Sequence, residues 1–266
     1  MEELYPVPCG LLALNAQDYT SEMVDHGLPS RGNDMKQGLV LDKVVLLGRT
    51  FEEYTRYFAL EPAFLTGKSV LDVAAGVSSF CAEANEKGLN VTAFDLIYKL
   101  PADDIQARCE PDLDHVLKSI DGLKTYRWEF YKSPERLRGF RERAYKTFLA
   151  DYRLHRGRRY VGGSLPRLPF DDGQLDLTLV SYLLFVYEDQ LDYEFHKQSL
   201  VEIMRVTRGE ARFYPLVSFE ARRCRYVEQL RKDPDLRHLV FEEVTTDFEF
   251  LVGSNNFLRV RHGADR

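Results

Sequence analysis

The chain has 266 residues, of which 44% are apolar and 29% charged, and a net charge of −6. That is enough apolar material for one sizeable core, read as one domain with additions, and the acidic balance argues against broad non-specific attraction to nucleic acid unless charge is segregated. Cys9, Cys81, Cys109 and Cys224 form no CxxC pair, which argues against a zinc knuckle or a disulfide scaffold.

The start, MEELYPVPCGLLALNAQ, lacks a basic leader before its short apolar stretch, and nowhere do about eighteen apolar residues run together. Neither export nor a membrane span is expected, and the four thiols suit a reducing cytoplasm. Residues 1 to about 38 carry Pro6, Pro8, Pro29, Gly27 and Gly32 among polar residues and read as an irregular arm with one short helix around Tyr19 to His26. From Gly38 to Leu60, Leu39, Val40, Val44, Leu47, Phe51, Tyr54 and Phe58 recur at three or four residues, the spacing of one helix face, as one helix or two with a break at Gly48.

Ser69 to Val73 is a short apolar run ending in Ala-Ala-Gly, Ser79 to Lys87 has a helix pattern that stops at Gly88, and Asn90 to Phe94 supplies a second strand. Strand, tight turn, helix and strand in about thirty residues make a right-handed βαβ unit with parallel strands, and a parallel sheet needs helices on both faces.

Residues 101 to 158 are mostly helix formers punctuated by Pro101, Pro111 and Pro134, placed where a short connection would suffice, and so predict a helical insertion. Between Lys124 and Tyr160, 12 Lys plus Arg face 4 Asp plus Glu, a local balance of +8 that leaves −14 for the remainder. Arg136, Arg138, Arg141, Arg143, Arg156, Arg158 and Arg159 then have three readings: a solvated or ion-paired face, a lid for an anionic substrate, or a nucleic-acid surface with Tyr131, Phe140, Tyr145 and Tyr152 interleaved.

Beyond the insertion, Asp171 to Gln174 is a turn, Leu175 to Val180 a strand, Leu191 to Thr207 a helix, and Glu210 to Leu216 another strand. A charged helix is predicted over Phe219 to Lys232, and Phe241 to Phe250 with the later FLRVRH reads as two strands joined by a tight turn.

The turn after the first strand, Leu71-Asp72-Val73-Ala74-Ala75-Gly76-Val77-Ser78-Ser79, limits the ligand. A dinucleotide site wants three glycines; here Ala74 and Ser79 fill the first and third positions, and the Asp72 carboxylate would sit beside an anionic pyrophosphate. NAD is disfavoured, whereas a sulfonium or ammonium cation would gain from the same charge.

VLDVAAGVSSF resembles motif I of the class I S-adenosylmethionine-dependent methyltransferases through Asp72, Ala74, Gly76 and Ser78. Asp95, 23 residues after Asp72, is similar to the acidic residue that accepts the ribose hydroxyls in that family, and Leu96 would pack on the adenine. LPFDDGQLDLTLVS and RVTRGEARFYPL resemble the family's segments around the fourth and fifth strands, so the likeness spans about residues 68 to 98 and 160 to 217. Many relatives have an Asp near the Leu-Pro-Phe segment for the adenine amino group; here the stretch is Gly162-Gly163-Ser164-Leu165, with Ser164 as the substitute.

The resemblance implies an α/β, Rossmann-like, mostly parallel seven-stranded sheet with helices on both faces. Residues 1–60 form the N-terminal arm and helical cap, 68–98 and 160–262 the sheet core, and 101–158 the basic helical insertion after the second strand. It implies S-adenosylmethionine as cofactor, held by Asp72, Ala74, Gly76, Ser78, Asp95, Leu96, Ser164, Leu165 and Ser181, with a small-molecule acceptor and no metal. The open alternatives are a nucleic-acid acceptor and a non-catalytic cofactor-binding relative. Methyl transfer needs no invariant acid or base, because proximity and orientation supply much of the acceleration, and no catalytic residue is assigned. Ser181, Tyr182, Tyr187, Glu188 and Asp189 cluster after the fourth strand, with Tyr187 or Glu188 as possible bases beside the plainer reading of a buried strand end. His155 and His196 are read as surface or capping residues, and Tyr54 and Tyr57 as core, with a cofactor-covering role as the alternative.

Overall fold

The computed structural model describes residues 45–263, and the predicted arm, its short helix and residues 38–44 lie outside them. Residues 45–50 form no helix, contrary to the spacing of Leu47 and its neighbours. The reason is tertiary: a Cβ on Gly48 would lie 2.2 Å from the Val77 carbonyl oxygen, so the segment is pressed as a strap against the turn that follows the first strand. The helix begins only at α1 (Phe51–Tyr57), where Thr50 and Glu53 form a reciprocal capping box. A single turn, α2 (Pro62–Leu65), leads into β1 (Ser69–Val73).

Next come α3 (Phe80–Glu86), β2 (Asn90–Asp95) and a 3-10 turn over Leu96–Lys99. Two helices fill the long connection to the third strand. They are α4 (Ala102–Ile120), which runs through Pro111 without ending, and α5 (Pro134–His155), started by the Ser133 side chain accepting from Arg136 N and by Pro134 in its first turn. Strand β3 (Tyr160–Gly162) is only three residues long and directly follows the basic helix, which is why sequence reading did not locate it. Strand β4 (Leu175–Ser181), α6 (Tyr193–Val206), β5 (Thr207–Tyr214), α7 (Arg225–Lys232), β6 (Leu239–Thr245) and β7 (Asn256–His262) complete the order. The charged helix starts six residues later than predicted, because 219–224 form a turn closed by Ser218 N donating to Arg222 O.

The strands form one seven-stranded sheet in the order β3-β2-β1-β4-β5-β7-β6. All pairs from β3 to β5 are parallel, and β7 runs antiparallel to both β5 and β6. Val73 lies opposite Phe94 and Val180, and Asp95 opposite Gly162, so the ends of the four neighbouring strands form one level carboxyl edge. The β6–β7 connection is not a tight turn: residues 246–255 leave the sheet, bury Phe248, Phe250 and Leu251, and bridge Leu251 to Tyr126.

One face of the sheet packs α1, α3, α4 and α5 through Tyr54, Phe58, Phe80, Ile105, Phe148 and Tyr152; the other packs α6 and α7 through Leu200, Ile203, Val227 and Leu230. Each such fully buried side chain contributes about 1.5–3 kcal/mol. Part of the insertion's positive charge is compensated locally, Arg138 by Asp114, Arg153 by Asp103 at 2.8 Å and Arg159 by Asp151 at 2.8 Å. Arg141 is buried and pairs with the buried Glu53 at 2.7 Å.

Candidate functional site

The turn after β1 is tight because Ala74 and Gly76 both have left-handed backbone, φ +56° and +55°. For Ala74 that conformation costs about 1 kcal/mol, strain of the kind found where a backbone must present itself to a ligand. The turn is tied to β2 by the Gly76 N–H, which donates to Asp95 Oδ2 at 2.9 Å, and by Tyr98 Oη, which donates to the Gly76 carbonyl at 2.8 Å. Asp95 Oδ1 accepts from Ile97 N at 3.0 Å and so caps the 3-10 turn. Burial pushes the Asp95 carboxyl above its usual range, although the backbone N–H groups of Ile97, Gly76 and Leu96 oppose the rise.

Asp72 is fully buried. Its Oδ1 accepts from Tyr54 Oη at 2.9 Å, while its Oδ2 is buried without a partner. Burial pushes its carboxyl well above the ordinary value; the Tyr54 bond opposes this and the nearby Asp95 charge adds to it. An orphaned carboxylate oxygen beside a second carboxylate is a locus that a cation would stabilise.

Gly163 N donates to the Asp95 carbonyl at 3.2 Å, which lays the 163–165 segment along the end of β2, with Ser164 exposed and Leu165 buried. Leu96 is half-buried at the start of the 3-10 turn. Two predicted contact residues already have partners: Ser78 Oγ accepts from Arg49 N at 3.1 Å, and Ser181 Oγ shares a 2.9 Å hydrogen bond with Tyr57 Oη. Thus Asp72, Ala74, Gly76 and Asp95 converge directly, whereas the Ser78 and Ser181 hydroxyls fasten the strap and α1 to the same edge.

Arg49 lay inside the segment read as helix and was not singled out. The Thr50-x-x-Glu53 capping box and the preceding Gly48 are the sequence signal that places it before the helix. Its guanidinium carbon lies 3.7 Å from the centre of the Tyr182 ring, its carbonyl accepts from Ser79 N at 2.9 Å, and its Nε is buried without a partner. Beside it is a cavity of about 40 Å³ walled by Leu113 and Val116 of α4, Tyr126, Tyr182 and Phe250, with Arg141 at its edge.

Among the residues after β4, Tyr182 reaches this cavity. Tyr187 is buried against Phe219, its phenol pushed up to about 12 by burial, and Glu188 Oε2 accepts from Arg225 N at 3.0 Å at the start of α7; neither lines the cavity. His196 is not on the surface: it is fully buried, with ring nitrogens 2.7 Å and 2.8 Å from the carbonyls of Asp192 and Leu184. His155 lies 3.5 Å from Asp151. Cys81, Cys109 and Cys224 are free and buried, and among the described residues no group of His, Cys, Asp and Glu has the arrangement of a metal site. No helix among those residues is long and apolar enough to cross a membrane.

The strand order with a reversed β7, the strained turn after β1 and an acidic residue ending β2 together define the fold of the class I S-adenosylmethionine-dependent methyltransferases. The chain is 38% identical over 225 residues to the uncharacterized protein MJ0045 of Methanocaldococcus jannaschii, covering 84% of this chain and 98% of that protein, and it belongs to the same family. No protein-family model matches the chain. Similar solved structures include a putative S-adenosyl-L-methionine-dependent methyltransferase of Methanococcus maripaludis, at 14% identity and a TM-score of 0.37 over 81% of this chain and 91% of that one. Another is phosphoethanolamine N-methyltransferase 1 of Haemonchus contortus, in complex with phosphoethanolamine and S-adenosylhomocysteine, at 13% identity and a TM-score of 0.41 over 76% of this chain and 40% of that one.

Proposed function

We propose that the protein binds S-adenosylmethionine at the carboxyl edge of β1 and β2 and donates its methyl group to a small-molecule acceptor. The observation that carries this reading is the buried, partnerless Asp72 Oδ2 with Asp95 beside it. A cofactor with an ammonium and a sulfonium group would supply the missing countercharge, and a pyrophosphate would worsen the repulsion.

Asp95 serves as cap and ribose ligand together, since a carboxylate offers about four lone-pair sites and backbone N–H groups take two of them. The Ala74 to Ser78 turn holds the methionine part, Leu96, Ser164 and Leu165 border the adenine, and Ser181 frames the floor. The bound cofactor supplies an electrophilic methyl group; the chain's part is to orient donor and acceptor and to exclude water, which requires no acid or base. The 101–158 segment forms one wall of the adjoining cavity. Arg138, Arg141 and Arg153 of that segment are held in ion pairs, and the apolar walls of the cavity suit a small acceptor.

The test is calorimetric binding of S-adenosylmethionine, S-adenosylhomocysteine and NAD to the wild type and to Asp95→Ala. Binding of the first two, lost in the variant and absent for NAD, is the expected result. A folded wild type that binds neither sulfur compound would sink the proposal, and binding without turnover of any acceptor offered would leave a non-catalytic binding protein.

A further inference from the structure

Two guanidinium groups reach the cavity beside Tyr182, and they are in opposite states. Arg141 is neutralised: it donates to Glu53 Oε1 at 2.7 Å, to the Gly48 carbonyl at 2.8 Å and to Tyr131 Oη at 2.7 Å. Arg49 donates from one terminal nitrogen to the Leu47 carbonyl at 2.6 Å, makes no ion pair among the described residues, and keeps a buried Nε–H without an acceptor. A buried unpaired donor is costly until something accepts from it. The remaining walls that the described residues supply, Leu113, Val116, Tyr126 and Phe250 among them, carry no carboxylate. Among the described residues the cavity is therefore lined by apolar side chains with one guanidinium on its wall that has no ion-pair partner.

We propose that this cavity is the acceptor site and that it selects a ring-bearing acceptor with a carboxylate, whose oxygens take the free Arg49 donors while its apolar body lies against Tyr182 and α4. The proposal rests on the methyltransferase reading for its chemistry, but the anion site stands on geometry alone. The volume of about 40 Å³ is room for about three water-sized groups, a carboxylate rather than a whole acceptor, so the remainder of the molecule extends through the mouth. Arg49 suits this task because its guanidinium is stacked on the Tyr182 ring and its backbone is fastened to Ser78 and Ser79, which fixes the fork before a ligand arrives. The same two backbone bonds place the cavity next to the turn after β1, where the methyl donor is assigned.

The probes are benzoate and benzamide, which match in size and planarity and differ in charge, titrated calorimetrically into the protein alone and into protein saturated with S-adenosylhomocysteine. Benzoate is expected to bind at least about tenfold more tightly, since a charge-assisted bond replaces a neutral one. Arg49→Met removes the preference, Arg49→Lys reduces it by losing the planar fork, and Leu113→Trp fills the cavity and blocks benzoate while S-adenosylhomocysteine still binds. Equal affinity for the two probes in the wild type, or a preference that survives Arg49→Met, overturns the proposal; should Arg49→Met not fold, the Leu113→Trp result decides it in the same way. Benzoate selectivity dependent on Arg49 without any S-adenosylhomocysteine binding would overturn the methyltransferase reading and leave the anion site standing. Cofactor binding without benzoate selectivity would do the reverse.

Discussion

The Tyr54 phenol donates to Asp72 Oδ1 at 2.9 Å, and among the described residues it is the single hydrogen-bond partner of that buried carboxyl group. Tyr54→Phe leaves the carboxyl with none. The expected loss is about 1–3 kcal/mol of unfolding free energy. The loss has a pH signature. Because the folded-state pKa of Asp72 is raised, its relative contribution is fully present below the unfolded value and is lost as pH rises through the folded one. Removing a bond that lowers that pKa extends the fall to higher pH. Denaturant titrations of both proteins at acidic and neutral pH check this; a pH-independent difference would count against it.

A cation arriving beside Asp72 reverses the effect of burial and expels a proton wherever the group was protonated. Binding of S-adenosylmethionine should therefore release protons in the interval between the ordinary Asp range and the raised pKa of the free protein, and none above it. Calorimetry in buffers of different ionisation enthalpy measures the number released. Asp72→Asn should bind more weakly and release none, and buffer-independent heats in the wild type across that range would contradict the assignment.

Arg141 faces Glu53 at 2.7 Å with both side chains buried. Desolvation pushes the Glu53 carboxyl up, but Arg141, Tyr131 and the Thr50 backbone together hold it below its ordinary value. Its contribution is thus present above the unfolded pKa and lost as pH falls through the lower folded one. Arg141→Met strands a buried charge and should cost about 3–5 kcal/mol at neutral pH, while Arg141→Met with Glu53→Gln should cost less than the single change. Thermal or chemical unfolding of the pair measures the coupling; additive losses would refute it.

Gly48→Ala would put a methyl carbon 2.2 Å from the Val77 carbonyl oxygen and 3.1 Å from the Ala144 side chain. The strap must lift, breaking the Arg49 contacts to Ser78 and Ser79. A destabilisation of about 1–3 kcal/mol is expected, with faster amide exchange at Arg49 and Ser79 than in the wild type. Unchanged exchange would show that the strap is not held by this contact.

The central strands were legible because β1, β2 and β4 are short apolar runs bounded by turn residues, and Asp72 and Asp95 could be placed at their ends from the βαβ spacing. Where tertiary contacts overrode local pattern, the reading failed. Leu47 and Phe51 carry helical spacing, yet Gly48 lies against Val77 and holds residues 45–50 out of a helix. Phe248 and Phe250 alternate as in a strand but are drawn away from the sheet into an aromatic cluster with Tyr131 and Trp128. Three-residue β3 carries too few side chains to show a period. Asp95 caps the 3-10 turn through Ile97 N and also ties down Gly76 N, two uses that its position at the end of β2 does not reveal. Tyr182 was placed after the fourth strand, but its pairing with Arg49 was not legible, since a contact between residues 133 positions apart has no linear signature.

The connection between β6 and β7 is stitched to the segment between α4 and α5, Arg127 N donating to the Phe250 carbonyl at 2.6 Å and Val252 N to the Thr125 carbonyl at 2.8 Å. The cavity wall beside Tyr126 thus comes from chain synthesised long after the rest of that wall. While the polypeptide is still on the ribosome, Tyr126 and Trp128 lack their ring contacts with Phe250, and this wall stays uncovered for the time needed to add more than a hundred residues, on the order of ten seconds. The last strands therefore do more than finish a sheet: their arrival separates a nascent chain open to aggregation from one whose pocket is closed.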